Sequence, residues 1–217
     1  PWNYPMQIFG RSVLDGELES LRAFGARVRA LTAAPALPPH AVDLTIEVGG
    51  RPWRLRAGLA DLRASGSVMY RYDEPRATDY LSAWLHHLLL CAQPPAGVAP
   101  CTTWQARGPS FRLRPCAEPI DALRTLLGLY ERGLREPLPF FPKAAWAYVY
   151  HGDSLYRAGQ AWRSTKDRPH GGDADPAYRL ALRGRGDPLV ERFADFHACA
   201  HAVFAPLLDC LEEDAAR

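Results

Sequence analysis

Val42–Val48 has the sequence VDLTIEV, in which apolar and polar residues alternate strictly. Successive side chains of a β-strand point to opposite faces, so this pattern predicts a strand with one buried and one exposed face. Gly49-Gly50 follows, and a glycine pair favours the tight turn of a β-hairpin. A second alternating run, Trp53–Leu59, comes directly after the turn. The sequence therefore predicts an antiparallel hairpin over residues 42–59.

Helices and further strands are predicted on both sides of this hairpin. Before it, Arg11–Thr32 carries apolar residues three and four positions apart, which is the spacing of an amphipathic helix. After it, we expect a third strand over residues 68–72 and then a helix that has Thr78 as its N-cap and ends before Pro94. The remaining predicted elements of this part are strands over residues 102–106 and 111–114 and a helix from Pro119 to Leu134.

Beyond Pro137 the pattern is helical, and no further strand is predicted. The helices are expected over residues 144–151, 155–163, 177–182 and 189–211. This element order predicts an α/β (α+β) fold with a mixed sheet flanked by helices and a helical C-terminal part. We expect residues 1–136 to form the α/β core and residues 137–217 to pack on it within one structural domain.

Lysine is almost missing from the sequence, and this excludes several chemistries. Of 26 lysine and arginine residues only Lys143 and Lys166 are lysines. A phosphate-binding P-loop needs Gly-Lys-Ser/Thr, and neither lysine follows a glycine. The Asp/Glu-x-Lys triplet of many metal-dependent nucleases is absent as well, because Phe141 and Ser164 stand two positions before the lysines. No serine has the Gly-x-Ser-x-Gly context of a hydrolase nucleophile.

Arginines supply the candidate DNA contacts. The formal net charge of +2 gives no strong overall attraction to nucleic acid, so any such contact must come from a local patch. Arg54 and Arg56 alternate on one predicted strand, and Arg112 and Arg114 alternate on another, so each pair lies on one face of its strand. Such a stripe suits phosphate groups. The alternative is that these arginines are only the polar outer face of half-exposed strands.

Three carboxylates are the candidate metal ligands. Asp61 ends the second predicted strand, and Asp73 and Glu74 follow the third, so a sheet can bring them together. Against a catalytic role, Pro75 breaks the strand, and Arg76 cannot release a proton as a lysine can. The favoured interpretation is that these acids belong to turns at the rim of the sheet, and we predict no catalytic residue.

His197 and His201 stand four positions apart on a predicted helix, the spacing at which two imidazoles can share a metal ion. Cys199 lies between them. The zinc-protease pattern fails because Ala198 follows the first histidine, and the sequence signals no third ligand nearby. We favour a solvated or partner-facing pair over a metal site.

Five cysteines, an odd number without a CxxC pair, are expected to be reduced and mostly buried, which favours the cytoplasm. The longest apolar run, around residues 88–92, is much shorter than the roughly 18 residues that span a bilayer. No signal peptide is visible. We therefore expect no membrane association.

Four segments together resemble the C-terminal domain of RecC, the gamma subunit of the helicase-nuclease exodeoxyribonuclease V (RecBCD). They are residues 79–88 (DYLSAWLHHL), 134–143 (LREPLPFFPK), 145–148 (AWAY) and 172–180 (GDADPAYRL). The resemblance extends from about Val42 to Leu208. Its strength lies in the order and spacing of these segments, because each is a packing motif and none is catalytic.

The resemblance implies a restriction-endonuclease-like fold, similar to the RecB nuclease domain, that has lost its metal-binding acids and lysine. The third predicted strand agrees, since Val68–Tyr72 contains neither an acid nor a lysine. The family implies a non-catalytic domain without a cofactor, in a subunit that holds RecB and RecD and lies along the DNA path. It also implies that the domain works within that complex and not as a stand-alone homo-oligomer. No particular residue is indicated as a partner contact.

Two alternatives stay open. One is an active metal-dependent DNA nuclease that uses Asp61, Asp73 and Glu74. The other is a protein-interaction module that makes no contact with DNA.

Overall fold

The computed structural model of the chain describes residues 5–167 and 171–213, and side chains from residue 13 onward within those ranges. The helices are α1 Pro5–Leu31, α2 Ala77–Ala92, α3 Pro119–Gly133, α4 Pro142–Tyr150, α5 Leu155–Trp162, α6 Pro176–Ala181, α7 Pro188–Glu191 and α8 Phe193–Cys210, with a 3₁₀ turn at Gly172–Ala174. The strands are β1 His40–Val48, β2 Arg51–Leu59, β3 Leu62–Arg63, β4 Gly66–Tyr70, β5 Thr102–Gln105, β6 Phe111–Leu113 and β7 Leu211–Glu213.

The predicted hairpin is confirmed. Strands β1 and β2 pair antiparallel over their full length, with Ile46 opposite Trp53 and Val48 opposite Arg51. Gly49 and Gly50 make the turn with φ of 55° and 75°, the left-handed region that glycine enters at little cost. Val42 and Ile46 are buried, as the alternation requires.

A second sheet has five strands in the order β3-β4-β5-β6-β7. Strands β4 and β5 run parallel and are joined through α2, while the other neighbours pair antiparallel. The predicted mixed sheet flanked by helices in an α+β fold is thus confirmed. The hairpin, however, is not hydrogen-bonded into this sheet but forms a two-stranded sheet of its own. The short strand β3, which the sequence did not predict, comes between the hairpin and β4.

The prediction that no strand follows Pro137 is wrong. β7 pairs with β6, and Leu211 lies opposite Leu113. Three residues are too few to show a periodicity, and the pairing partner lies far back in the sequence, so only the folded chain reveals this strand.

Two helix predictions also need correction. Helix α2 begins at Ala77 with Arg76 as its N-cap residue, and not at Thr78. The Asp79 carboxylate accepts a hydrogen bond from the Arg76 backbone N–H at 2.7 Å, which satisfies a donor at the start of the helix. The single helix expected over residues 189–211 is divided into α7 and α8 at Arg192, whose φ and ψ are −123° and 36°.

The main core joins both sheets to helices from both halves of the chain. Ile46 of the hairpin, Trp84 of α2, Phe111 of β6 and Phe204 of α8 belong to one buried cluster. Leu123 of α3 packs into the same cluster. A smaller cluster lies beside it and contains Val42, Leu59, Leu62, Leu90 and Val98.

The cysteines are free, and three of them, Cys101, Cys199 and Cys210, are buried. This agrees with the expectation of mostly buried, reduced thiols. No helix in the described part of the chain combines the length and the apolar character that crossing a membrane demands.

Candidate functional site

The turn that follows β4 is held by a small ion-pair network. Arg71 donates two hydrogen bonds to the Asp79 carboxylate, each of 2.6 Å. The Asp79 side chain is only 8% exposed, whereas Arg71 is 38% exposed. Arg71 also lies 3.6 Å from Asp73, and Arg76 forms a shorter ion pair with the same carboxylate. Two arginines and two aspartates therefore neutralise each other where the third predicted strand ends.

The surroundings of Asp73 in this network lower the pKa of its carboxyl group. The Glu74 backbone N–H donates to the Asp73 carboxylate at 2.9 Å. That hydrogen bond, together with the charges of Arg76 and Arg71, keeps the pKa of Asp73 below its ordinary value. Glu74 is exposed, and its carboxylate lies against Gly108 of the loop between β5 and β6. The two neighbouring acids thus have different surroundings.

Asp61 lies away from this turn. It stands between β2 and β3 with φ of 53°, and its carbonyl oxygen accepts a hydrogen bond from the Val68 backbone N–H. Asp73 follows five residues after Val68, beyond the other end of β4. Within residues 5–167 and 171–213, no metal-binding group of three side chains includes Asp61, Asp73 or Glu74.

The two arginine pairs lie on different sheets. Arg54 and Arg56 project from β2 on its exposed face. Arg54 binds Asp43 of β1 through two hydrogen bonds of 2.7 and 2.6 Å, and Arg56 lies 3.3 Å from the same carboxylate. The hydrogen bond from Arg54 lowers the pKa of Asp43. One aspartate therefore offsets part of the positive charge of this pair.

The second pair lies on and just after β6, next to the edge strand β7 of the five-stranded sheet. Arg112 lies opposite Glu212 of β7, and Arg114 lies 3.2 Å from the Glu212 carboxylate. Arg114 also donates to the Asp209 carbonyl oxygen at 2.8 Å. Arg112 and Arg114 are both exposed. The four arginines thus lie on two different sheets, and an acidic side chain partly neutralises each pair.

An apolar groove of about 670 Å³ opens between the hairpin and three helices. Leu55 of β2, Leu85 of α2, Leu126 and Tyr130 of α3 and Val203 of α8 line it. Leu85 and Tyr130 are exposed to 45% and 58%. The described residues that line the groove are apolar apart from the Tyr130 hydroxyl.

Residues 3–153 match the family model described as the RecC C-terminal domain. The chain belongs to the RecC C-terminal domain family. The RecBCD enzyme subunit RecC of Mycolicibacterium smegmatis is 34% identical to it over 178 residues, which cover 75% of this chain and 16% of that protein. The RecBCD enzyme subunits RecC of two Mycobacterium tuberculosis strains, CDC 1551 and H37Rv, are 31% identical over 179 residues with the same coverage.

The chain thus spans 16% of the length of these curated RecC relatives. The family match covers residues 79–88, 134–143 and 145–148, which carried the resemblance in the sequence, while residues 172–180 lie beyond its end. The Arg71–Asp79 contact lies within the matched range.

The sequence of this RecC-family domain shows only part of a group of side chains whose atoms could hold a metal ion. His197 and His201 lie on one face of α8, and the structure adds Asp153 from the turn between α4 and α5. Gly152-Asp153 after a helical run indicates a turn in the sequence. Nothing in the sequence relates that turn to histidines more than forty residues later, so Asp153 was missed.

Proposed function

We propose that this chain is a non-catalytic domain of a RecC-like subunit of exodeoxyribonuclease V. In this role it scaffolds RecB- and RecD-type subunits and lies along the path of DNA during double-strand-break repair and recombination. It acts in the cytoplasm, requires no cofactor and works within the complex, not as a stand-alone homo-oligomer. Its fold is a degenerate nuclease-like core. Membership of the RecC C-terminal domain family is the observation that carries the proposal.

The end of β4 supports the non-catalytic part. A nuclease of the acid-x-lysine type binds its metal ions with unpaired carboxylates and places a lysine beside them. Here Arg71 occupies that region and binds Asp79, and Asp73 is engaged by two arginines. Arginine does not exchange its proton near neutral pH and holds carboxylates in fixed pairs. These contacts favour a structural role for the acids.

The decisive test of this part is a cleavage assay. The purified chain is incubated with linear duplex and single-stranded DNA in Mg²⁺ and in Mn²⁺, and we expect the DNA to stay intact. Asp61→Ala and Asp73→Ala variants are assayed in parallel. Cleavage by the wild-type chain that either substitution abolishes would replace our proposal with an active nuclease. Cleavage that survives both substitutions would show that neither Asp61 nor Asp73 is responsible for it.

The DNA part is tested by binding to forked DNA at several salt concentrations. Phosphate contacts release counterions, so we expect log K to fall as log salt rises. Substituting Arg112 and Arg114 by alanine should weaken binding and make the salt slope shallower by about one per lost contact. Arg124→Ala, an exposed arginine on α3, is the matched control.

A specific observation favours the alternative of an interaction module without DNA contact. Asp43 offsets part of the charge of Arg54 and Arg56, and Glu212 pairs with Arg114. If the chain fails to bind forked DNA even at low salt, this alternative is preferred. The scaffold role itself is tested by co-purification of RecB and RecD with the RecC-type subunit, with and without this domain. Unchanged association without the domain would contradict it.

A further inference from the structure

The turn between α4 and α5 places a carboxylate over two histidines of α8. His197 and His201 are four residues apart, which aligns them on one face of the helix, and their ring centroids are 4.4 Å apart. His201 Nε2–H donates a hydrogen bond of 2.7 Å to an Asp153 carboxylate oxygen. One ligand atom from each of the three side chains lies within 4.8 Å of the other two.

We propose that Asp153, His197 and His201 form a binding site for a divalent transition-metal ion, with Zn²⁺ as the representative ion. Two imidazoles and one carboxylate are a ligand set that such ions prefer, whereas Mg²⁺ and Ca²⁺ favour oxygen ligands alone. Zinc holds nitrogen and oxygen ligands at about 2.0–2.2 Å in a tetrahedron. Three side chains fill three positions of that tetrahedron, and water takes the fourth.

The backbone at Asp153 supports this assignment. Gly152 and Asp153 both adopt positive φ, of 65° and 63°. For a residue other than glycine this conformation carries a cost that surrounding contacts must offset. The hydrogen bonds from Gly152 N–H to the Val149 carbonyl and from Ser154 N–H to the Tyr148 carbonyl hold the turn in place. The turn therefore holds Asp153 beside α8, where its carboxylate accepts the hydrogen bond from His201.

A metal-bound histidine usually has a hydrogen-bond partner at its second ring nitrogen, and Tyr148 is placed to be that partner for His197. Its hydroxyl is hydrogen-bonded to Nδ1 of His197 at 3.0 Å, and the Tyr148 ring is buried. A hydrogen bond to one ring nitrogen fixes the orientation of the imidazole and strengthens it as a ligand. The three ligand residues remain accessible, since His201 is 35% and Asp153 44% exposed. An ion can therefore enter from solvent, and small rotations of exposed side chains suffice to place the three atoms around it.

A metal ion at this position would add a link between two elements that already meet through packing and through the hydrogen bond between His201 and Asp153. Asp153 belongs to the α4–α5 turn, and both histidines belong to α8. The ion would hold the α4–α5 turn and α8 together. This inference does not depend on the proposed RecC-like role, because it rests only on the three side chains and their surroundings.

The experiment is a titration of the chain, without a polyhistidine tag, with Zn²⁺ alone by calorimetry. We expect one equivalent to bind. His201→Asn and Asp153→Asn should each weaken binding by about tenfold or more, and Tyr148→Phe by about tenfold. Asparagine tolerates positive φ, so Asp153→Asn keeps the turn. His86→Asn, an exposed histidine on α2, is the matched control and should bind as wild type does.

Two further measurements distinguish metal binding at this site from metal binding by the cysteines. Co²⁺ bound by imidazole and carboxylate lacks the near-ultraviolet charge-transfer band of a cobalt thiolate, so we expect no such band. Zn²⁺ should raise the melting temperature of wild type and of His86→Asn, and should raise that of His201→Asn less at the same Zn²⁺ concentration. A thiolate band, binding that His201→Asn and Asp153→Asn leave unchanged, or no stoichiometric binding by the wild-type chain would each overturn the proposal.

Discussion

At the scale of single residues, two buried polar side chains, Asp79 and His87, should contribute most to the predicted changes in stability. Asp79 accepts two hydrogen bonds from Arg71 and one from the backbone at the start of α2. His87 is fully buried, and both of its ring nitrogens are engaged. Each group is held by contacts from several elements, so its substitution leaves polar partners without compensation.

Asp79→Ala is expected to lower the free energy of unfolding by about 2 kcal/mol, because it removes both hydrogen bonds between Arg71 and Asp79 and a contact at the helix start. The exposed Asp121, which pairs with Arg124 on α3, provides the comparison. Asp121→Ala should cost less than about 1 kcal/mol, as is usual for surface ion pairs. Urea denaturation of both variants measures the difference. Equal effects would show that the burial of Asp79 is unimportant.

His87 should make stability depend on pH. Its Nε2–H donates to the Arg114 carbonyl at 2.8 Å, which leaves Nδ1 to accept from the Thr102 hydroxyl at 3.1 Å. Burial lowers the pKa of His87 to about 4, well below its ordinary value of 6.5. The unfolded chain therefore binds this proton first as the pH falls. Stability contributed by the neutral ring is complete above pH 6.5 and decreases toward pH 4 by about 3 kcal/mol.

The measurement is urea denaturation of wild type and His87→Gln at several pH values between 4 and 7. The variant is less stable at neutral pH but should lose less stability on acidification. The His87 ring signals in NMR spectra should also stay constant until the pH approaches 4. Parallel pH profiles of the two proteins would contradict the assignment.

At the scale of elements, the sheet depends on a close approach between β4 and the chain before β5. Gly66 begins β4 with φ of 120°, and the Ser67 backbone N–H donates to the Cys101 carbonyl at 2.9 Å. A Cβ atom at Gly66 would lie 2.2 Å from the Cys101 carbonyl oxygen. Only glycine fits this position, because both the backbone conformation and the neighbouring chain exclude a side chain.

Gly66→Ala is expected to destabilise the protein by about 3 kcal/mol or more, because the new side chain would strain the backbone and clash with the Cys101 carbonyl. Gly58 on β2 is the control, since a Cβ there meets nothing within 4 Å and its φ is not positive. Gly58→Ala should change stability by less than about 1 kcal/mol. Thermal melts of the two variants compare them directly. A small effect at Gly66 would mean that the β4–β5 junction can move apart.

At the scale of the whole molecule, the C-terminal helical part and the sheet share one core. β7 continues from α8 and pairs with β6. Glu213 of β7 accepts a hydrogen bond of 2.9 Å from the Tyr80 hydroxyl and a second from Tyr150. The latter contact, with burial, raises the pKa of Tyr150 to about 12. These contacts connect α2, α4 and the last strand.

We therefore expect the chain to unfold as a single cooperative unit. Far-ultraviolet circular dichroism, which follows the helices, and tryptophan fluorescence should give the same midpoint in urea. A fragment that ends at residue 136 should lack a cooperative transition, because it loses the α4 and α8 side chains of the shared core. Two separate unfolding transitions in the full chain would instead indicate two independently folding domains.

Local patterns allowed most elements to be predicted. The alternation in Val42–Val48 and the three-and-four spacing in the helices report which face of a segment is buried, and this depends only on neighbouring residues. The absence of Asp/Glu-x-Lys was also readable directly. The C-terminal strand β7 and the division at Arg192 were missed, since short segments show no period.

The sequence by itself determined the hairpin, most of the helices, the α+β class and the resemblance to the RecC family. Only the tertiary structure decided that the hairpin stands apart from the five-stranded sheet, that Arg71 binds Asp79 and that Asp153 meets His197 and His201. The physical reason is that periodicity is a local property, whereas contacts between distant residues depend on how the chain closes on itself. The entropic cost of closing a loop changes slowly with its length, so separation along the chain does not indicate which residues will meet.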